Sequence, residues 1–443
     1  MISYPDMRSR SAMLFSRAQR VLPGGNTRIT VAMEPYPIYC ANADGTYVED
    51  VDGNRFVDFI GNHSSMVHGH SFPPIVDAVQ RQARKVMAVG SPTEEEVELA
   101  ELIVDRIPSV DHLRFCNSGT EAIMFAIRAA RAFTGRNKIA KFEGAYHGAY
   151  DAVDASTSPA PSDWGPVTRP NSVATCRGLS NATLNESVIL PLDDVEHGLS
   201  ILEAEKSDLA AVVVDLAIPR LGYLSPSPEY VRRLAEKAKS IGALIVDDEV
   251  YSIRLDYFGA QNRFQLKPDL SVFGKIIGGG LPVGAFGGRA DIMELFSNRN
   301  APPAIPLGGT FNANPMTMAA GIAAMTALTP DAYEELERLG TRLANGLKSL
   351  STTRTPIQVV QAASLVSMTF SPTAISSHRE RSRAMRFHQD VMSSIYPELI
   401  SKGLLITPSG YFILNTAMDD THVDFALSAL ESSLKTAEPA RTA

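Results

Sequence analysis

Residues 269–292 read DLSVFGKIIGGGLPVGAFGGRADI. The apolar run Asp269–Phe273 has the length and content of a buried strand, and Gly274 and Lys275 follow it directly. Ile276-Ile277 and the triplet Gly278-Gly279-Gly280 then turn the chain away. A second apolar run upstream, Ala243–Val246, ends in Asp247-Asp248-Glu249-Val250. Working outward, the same pattern repeats from about residue 112. Strand-like runs at Leu113–Cys116, Ile139–Phe142 and Ala210–Asp215 alternate with helical periodicity at 120–133 and 228–240. Continuous apolar strands alternating with helices predict an α/β fold, with a mostly parallel sheet covered on both faces.

The flanks read differently. Residues 8–20 predict an amphipathic helix, broken by Pro23-Gly24-Gly25-Asn26. Tyr36–Cys40 and Thr46–Val51 predict short strands, with a hairpin turn at Asp52-Gly53-Asn54. Helical periodicity covers Pro73–Val86, Thr93–Ile107 and roughly 316–328. The stretch 153–185, rich in Ser, Pro, Thr and Asn, predicts a long loop, and the tail from Lys435 predicts a frayed end. Beyond about 330, helices and the runs Ser364–Phe370 and Tyr411–Asn415 predict a smaller α+β domain. The expected organisation is an N-terminal segment, 1–70, that joins the small domain, a large domain over 71–329, and the small domain over 330–443.

A chain of 443 residues with 44% hydrophobic content can bury more than one core. The net charge of −8 and pI near 5.7 argue against a general nucleic-acid or membrane-surface partner. Three widely spaced cysteines without a CxxC argue against a disulfide framework or structural zinc and suit a reducing compartment. With no signal-peptide pattern and no long uncharged apolar stretch, the expectation is a cytoplasmic protein.

The chemistry starts from the lysine and the acid. A lysine at one strand end and a carboxylate at another suit pyridoxal 5'-phosphate. The amine holds the cofactor as a Schiff base, and the acid keeps the pyridine nitrogen protonated so that the ring can accept electrons. Asn117-Ser118-Gly119-Thr120-Glu121-Ala122 lies between a strand and a helix, where free N–H groups and hydroxyls can bind phosphate. An ordinary N-cap would use the same residue types. Tyr146-His147-Gly148 follows a strand, so the ring of Tyr146 could stack on a flat cofactor or simply pack. Gly308-Gly309-Thr310-Phe311 offers another phosphate donor or a plain capping turn. His63, His68 and His70 lack an evident fourth ligand, so no metal is expected.

Taken together and in this order, these motifs resemble those of class III aminotransferases, which are fold-type-I pyridoxal phosphate enzymes. Residues Phe273–Ile292 resemble the branch containing glutamate-1-semialdehyde aminomutases and β-amino acid aminotransferases. The resemblance spans roughly residues 10–430. It implies a large domain with a mostly parallel seven-stranded sheet plus a small α+β domain. It also implies Lys275 as Schiff-base lysine and proton shuttle, Asp248 as the pyridinium partner, Val250 on the ring face and Tyr146, with His147 beside it, as the stacking element. Ser118, Gly119 and Thr120 would form the phosphate cup. Thr310 would reach the phosphate of a partner subunit, which implies a homodimer with a shared site. The activity implied is ping-pong transfer of an amino group between an amine or amino acid and a keto acid. An aminomutase would use the same residues, whereas a racemase or epimerase on the same fold would need acid-base groups on both ring faces.

Two departures bear on substrate. The strand at Ala210–Asp215 ends in Asp215-Leu216-Ala217-Ile218-Pro219-Arg220, where the family has Glu-Pro. Ser409, in Thr407-Pro408-Ser409-Gly410, stands where β-amino acid aminotransferases carry a carboxylate-binding arginine. Arg28 matches the other arginine of those enzymes, and Arg220 could replace the missing charge, so Arg28, Arg220 and Ser409 are the expected substrate residues. A surface ion pair is the ordinary reading of both arginines.

Overall fold

A computed structural model describes residues 2–299 and 302–436. It divides into two compact units. One comprises 2–72, 336–373 and 384–436; the other comprises Pro73–Glu335 and Ala374–Arg383. Residues 374–383 were expected in the C-terminal domain but pack with the large unit.

In the first unit, strands β1 (Cys40–Asp44), β2 (Tyr47–Asp50) and β3 (Arg55–Asp58) form an antiparallel meander. The β2–β3 turn holds Gly53 at φ 82°, as Asp-Gly-Asn foretells. The expected strand Tyr36–Cys40 begins only at Cys40. Pro35 and Pro37 lack the N–H groups a ladder needs, which confines the segment before Ile38 to irregular chain.

The large unit is built on seven strands: β4 (His112–Cys116), β5 (Lys138–Phe142), β6 (Ser187–Leu190), β7 (Leu209–Val214), β8 (Leu244–Asp248), β9 (Leu270–Gly274) and β10 (Gly284–Gly288). Their order is β4-β10-β9-β8-β7-β5-β6. Only β10 runs against its neighbours. Every residue of β7, LAAVVV, is buried, as a strand covered on both faces requires. The helix Gly119–Thr134 crosses the sheet and buries Ala122, Ile123, Ala126, Ile127, Ala129 and Ala130 in the core. Ser118 caps its start by accepting the Glu121 N–H, and Gly135, left-handed at φ 67°, ends it.

The remaining strands, β11 (Ile357–Ala362), β12 (Leu365–Phe370), β13 (Leu404–Leu405) and β14 (Tyr411–Ile413), belong to the first unit. There β13 extends the N-terminal meander in parallel with β3, and β11-β12-β14 form a second small sheet. The last helix, Asp420–Thr436, continues past Lys435 to the end of the described residues; the rest of the expected frayed tail lies outside them. Among the described residues, no helix is long and apolar enough to cross a membrane.

Candidate active site

The sheet brings four strand ends to one edge. Since β10 is antiparallel to both β4 and β9, those two strands run in the same direction as β5, β7 and β8. The carboxyl ends of β4, β5, β8 and β9 therefore deliver Ser118-Gly119-Thr120, Tyr146-His147, Asp248 and Lys275 to the same side of the sheet, where open α/β folds bind ligands.

Lys275 is held tightly. Its backbone is left-handed at φ 51°, a strained state for a residue with a side chain. The turn Lys275–Gly278 seats on the helix Pro315–Ala327 through glycines that no other residue could replace. A Cβ on Gly279 would lie 2.5 Å from the Ala320 carbonyl oxygen, and one on Gly321 would lie 2.2 Å from that of Ile277. The Lys275 amine sits 3.9 Å from the Tyr251 ring centre. Burial pulls its pKa down from 10.5 to about 8, against the pull of the Asp248 and Asp215 charges. Near neutrality a usable fraction of the amine is therefore unprotonated.

Asp248 accepts from the His147 Nδ1–H at 2.8 Å and from the Val250 N–H at 3.1 Å, one to each oxygen. Lone pairs remain on both oxygens for a further donor. Burial lowers the His147 pKa despite the acid beside it, so the ring is the neutral tautomer that donates from Nδ1. Asp247, the adjacent alternative, is fully buried, and among the described residues its pKa is raised by burial first and by Glu249 next. It does not figure among the charges acting on Lys275. Asp215, the residue just past β7, flanks Asp248, since Val214 pairs with Asp247. Its carboxyl is likewise raised by burial and by the charge on Asp248.

The phosphate-cup candidates meet the other pieces. A Cβ on Gly119 would lie 3.0 Å from Val250, and Thr120 Oγ1 accepts from the Ala149 N–H at 3.3 Å. A Cβ on Gly148 would fall 2.6 Å from Thr120 Oγ1. The helix start, the 146–149 loop and Val250 thus close on one another without side chains between them. Tyr146 stays 41% exposed at the mouth of this arrangement.

The residues expected to read substrate are less constrained. Arg220 is exposed, donates to Ser158 Oγ at 2.7 Å and lies 6.0 Å from the Tyr146 ring centre. Arg28 and Ser409 belong to the first unit. Arg28 is exposed and donates to Asn62 Oδ1 at 2.8 Å. Neither arginine forms an ion pair among the described residues, so the surface-pair reading does not describe them. Ser409 precedes Gly410, whose N–H closes a turn onto the Thr407 carbonyl at 2.9 Å. Thr310 is exposed on a loop tied to the cup by Asn117 donating to Asn312 at 2.7 Å. His68 pairs with Thr416, and His70 with Asp58 at 2.8 Å. Sequence reasoning passed over Tyr251, Lys141, Glu143 and Arg379, all placed near these elements by the fold.

The aminotransferase class-III family model matches residues 29–434. The chain is a class III aminotransferase family member. It is 37% identical over 436 residues to a glutamate-1-semialdehyde 2,1-aminomutase of Desulforudis audaxviator, covering 96% of this chain and 98% of that one. An omega-transaminase structure from Sphaerobacter thermophilus superposes with a TM-score of 0.92 at 39% identity, covering 99% of both chains. A β-phenylalanine aminotransferase structure from Variovorax paradoxus gives 0.84 at 32% identity, covering 96% of this chain and 94% of that one. The fold is that of fold-type-I pyridoxal phosphate enzymes, and the cofactor is pyridoxal 5'-phosphate. The site fits it: a buried lysine with a lowered pKa, a fixed carboxylate with free lone pairs, and a side-chain-free cradle at a helix start.

Proposed function

We propose that this family member is an aminotransferase that moves an amino group between an amine or amino acid donor and a keto acceptor in ping-pong fashion. The observation that carries the reading is a buried Lys275 at the same sheet edge as an Asp248 whose two oxygens are held by His147 and Val250. When bound, pyridoxal phosphate supplies a carbonyl for the amine and a ring that withdraws electrons. Lys275 holds the cofactor and then, as the free amine, takes and returns the substrate proton. Asp248 keeps its negative charge against the ring nitrogen, and His147 stops it from rotating away. Tyr146 would stack on the ring and Val250 would pack against it. Ser118, Gly119 and Thr120 bind the phosphate from the helix start.

Thr310, exposed here, completes the phosphate site of a second copy, so the active species is a homodimer. Sedimentation at assay concentration checks this, and an active monomer would refute it. For the substrate, Arg28 is proposed as the carboxylate reader, with Arg220 and Ser409 as further substrate residues.

The aminomutase reading is kept alive by the 37%-identical relative of that name. Incubating the holoenzyme with an amino donor in the absence of any acceptor separates the two. An aminotransferase releases one equivalent of keto product and stops until an acceptor is added. Sustained turnover of glutamate-1-semialdehyde alone, without a keto product, would establish the mutase instead.

A further inference from the structure

The loop that carries Tyr146 and His147 is gripped by a segment from far along the chain. Its first residue, Glu143, is 4% exposed and faces Arg379, which is 7% exposed. The Arg379 guanidinium donates from Nε to Glu143 Oε2 at 2.9 Å and from Nη2 to Oε1 at 3.0 Å, a two-pronged pair. It also donates to the carbonyls of Gly165 at 2.9 Å, Trp164 at 3.0 Å and Pro166 at 3.2 Å. The Trp164 ring lies 5.4 Å from this guanidinium, and its Nε1–H is held by the Pro159 carbonyl at 2.8 Å. Next to Arg379, His378 fills the space that a side chain at Gly144 would need: a Cβ there would lie 2.5 Å from His378 Nδ1.

The same loop is tied from below. Gly144 N–H donates to the Ser156 carbonyl at 2.8 Å, and Thr157 Oγ1 donates to the Ala145 carbonyl at 3.3 Å. Lys141, fully buried, donates to the carbonyls of Val153 at 2.7 Å and Ala155 at 2.8 Å. Arg379 therefore joins two things: the strand-end loop 143–148 and the 153–173 stretch that folds over it. Both halves of the ion pair are out of water, so losing either partner leaves an uncompensated buried charge at the base of the cofactor loop.

We propose that Arg379 is a positioning residue for the cofactor: through Glu143 and Gly144 it fixes the 143–148 loop and so the attitude of Tyr146 and His147. The proposal rests on the reading that these two residues hold pyridoxal phosphate. It accords with the membership of Ala374–Arg383 in the large unit, where Glu143 also lies.

A double-mutant cycle on the full-length protein tests it, read as the dissociation constant for pyridoxal phosphate and the circular dichroism of the bound cofactor's visible band. Arg379→Gln is expected to weaken cofactor binding about tenfold and to diminish the band, and Tyr146→Ala to weaken binding by a similar factor. In the Tyr146→Ala background, Arg379→Gln should cost clearly less than in the parent, because one of the two groups it positions is already gone and only His147 remains. Arg379→Lys keeps the charge without the fork and should fall between parent and Arg379→Gln. Should Arg379→Gln fail to fold, the cycle is run with Arg379→Lys. An equal factor in both backgrounds, or an unchanged band in a folded Arg379 variant, overturns the proposal as mere general stabilisation. Unchanged affinity in Tyr146→Ala overturns the cofactor-loop reading itself, and the proposal with it.

Discussion

The carboxyl edge of the large sheet and the residues expected to read substrate differ in how far the chain dictates their geometry. At the sheet edge, Lys275 has a strained backbone, glycine seats beneath it and a displaced pKa. Asp248 has both oxygens engaged. Arg28 and Arg220, by contrast, are exposed, and each makes a single side-chain hydrogen bond to a neutral neighbour, Asn62 or Ser158. The first region is built to hold one arrangement. The two arginines are not so constrained; of the positions where the sequence departs from the pattern it resembles, Arg220 lies among them, while Asp215 lies buried beside Asp248. The proposed chemistry is thus anchored in the buried sheet edge, and the arginines proposed to read substrate stand where substitution costs little stability.

This contrast can be broken most directly at Lys275. Lys275→Ala should abolish covalent attachment of the cofactor and lower turnover by about ten-thousandfold. Borohydride reduction and peptide mapping of the parent should find the label on Lys275; a label on another lysine would dismantle the site.

Asp248→Asn should retain cofactor yet lose about a hundredfold to a thousandfold in kcat, because an amide cannot balance the ring charge. Asp247→Asn should lose far less, since Asp247 is not among the charges that act on Lys275. The reverse ranking in steady-state kinetics would mean that the register is off by one residue.

The strain at Lys275 has a signature in the cofactor-free protein. Its pKa falls from 10.5 to about 8 on folding, mainly through burial. Between those values the unfolded chain binds more protons, so this group's contribution to stability rises with pH across the window; below about 8 the burial penalty is present in full. Lys275→Met should accordingly be more stable than the parent at pH 7, by at most roughly 3 kcal/mol. Denaturant titrations should show the gap closing as pH rises from 8 toward 10.5. A gap independent of pH would mean that the lysine is not desolvated.

The smallest effects belong to the arginines. Arg28→Ala should cost about 2 kcal/mol in kcat/KM for a carboxylate substrate and little for an uncharged amine. Arg220→Ala should cost under about 1 kcal/mol, as expected for an exposed side chain. Equal losses on both substrate types would make Arg28 structural and erase the distinction between the two regions.

Much of the large unit was legible because burial leaves a direct trace in composition. Strands covered on both faces need unbroken apolar runs, and the residues just past their ends, Asp248 and Lys275, stand out as charges in an apolar context. β10 escaped notice for the opposite reason. Its sequence, GAFGG, has poor strand propensity, and its glycines serve close neighbours: a Cβ on Gly284 would lie 2.0 Å from the Ser118 carbonyl oxygen. That requirement is set by another strand and leaves no local pattern.

By itself, the sequence determined the alternating α/β plan, the strand-end lysine and acid, and the capped helix at Ser118. These depend on periodicity and residue type within a few positions. Only the tertiary structure decided which of two adjacent aspartates faces the lysine, which ring steadies it, and that Arg379 clasps Glu143 across 236 residues of chain. Desolvation and hydrogen-bond geometry depend on what surrounds a group in space, and no local spacing encodes that.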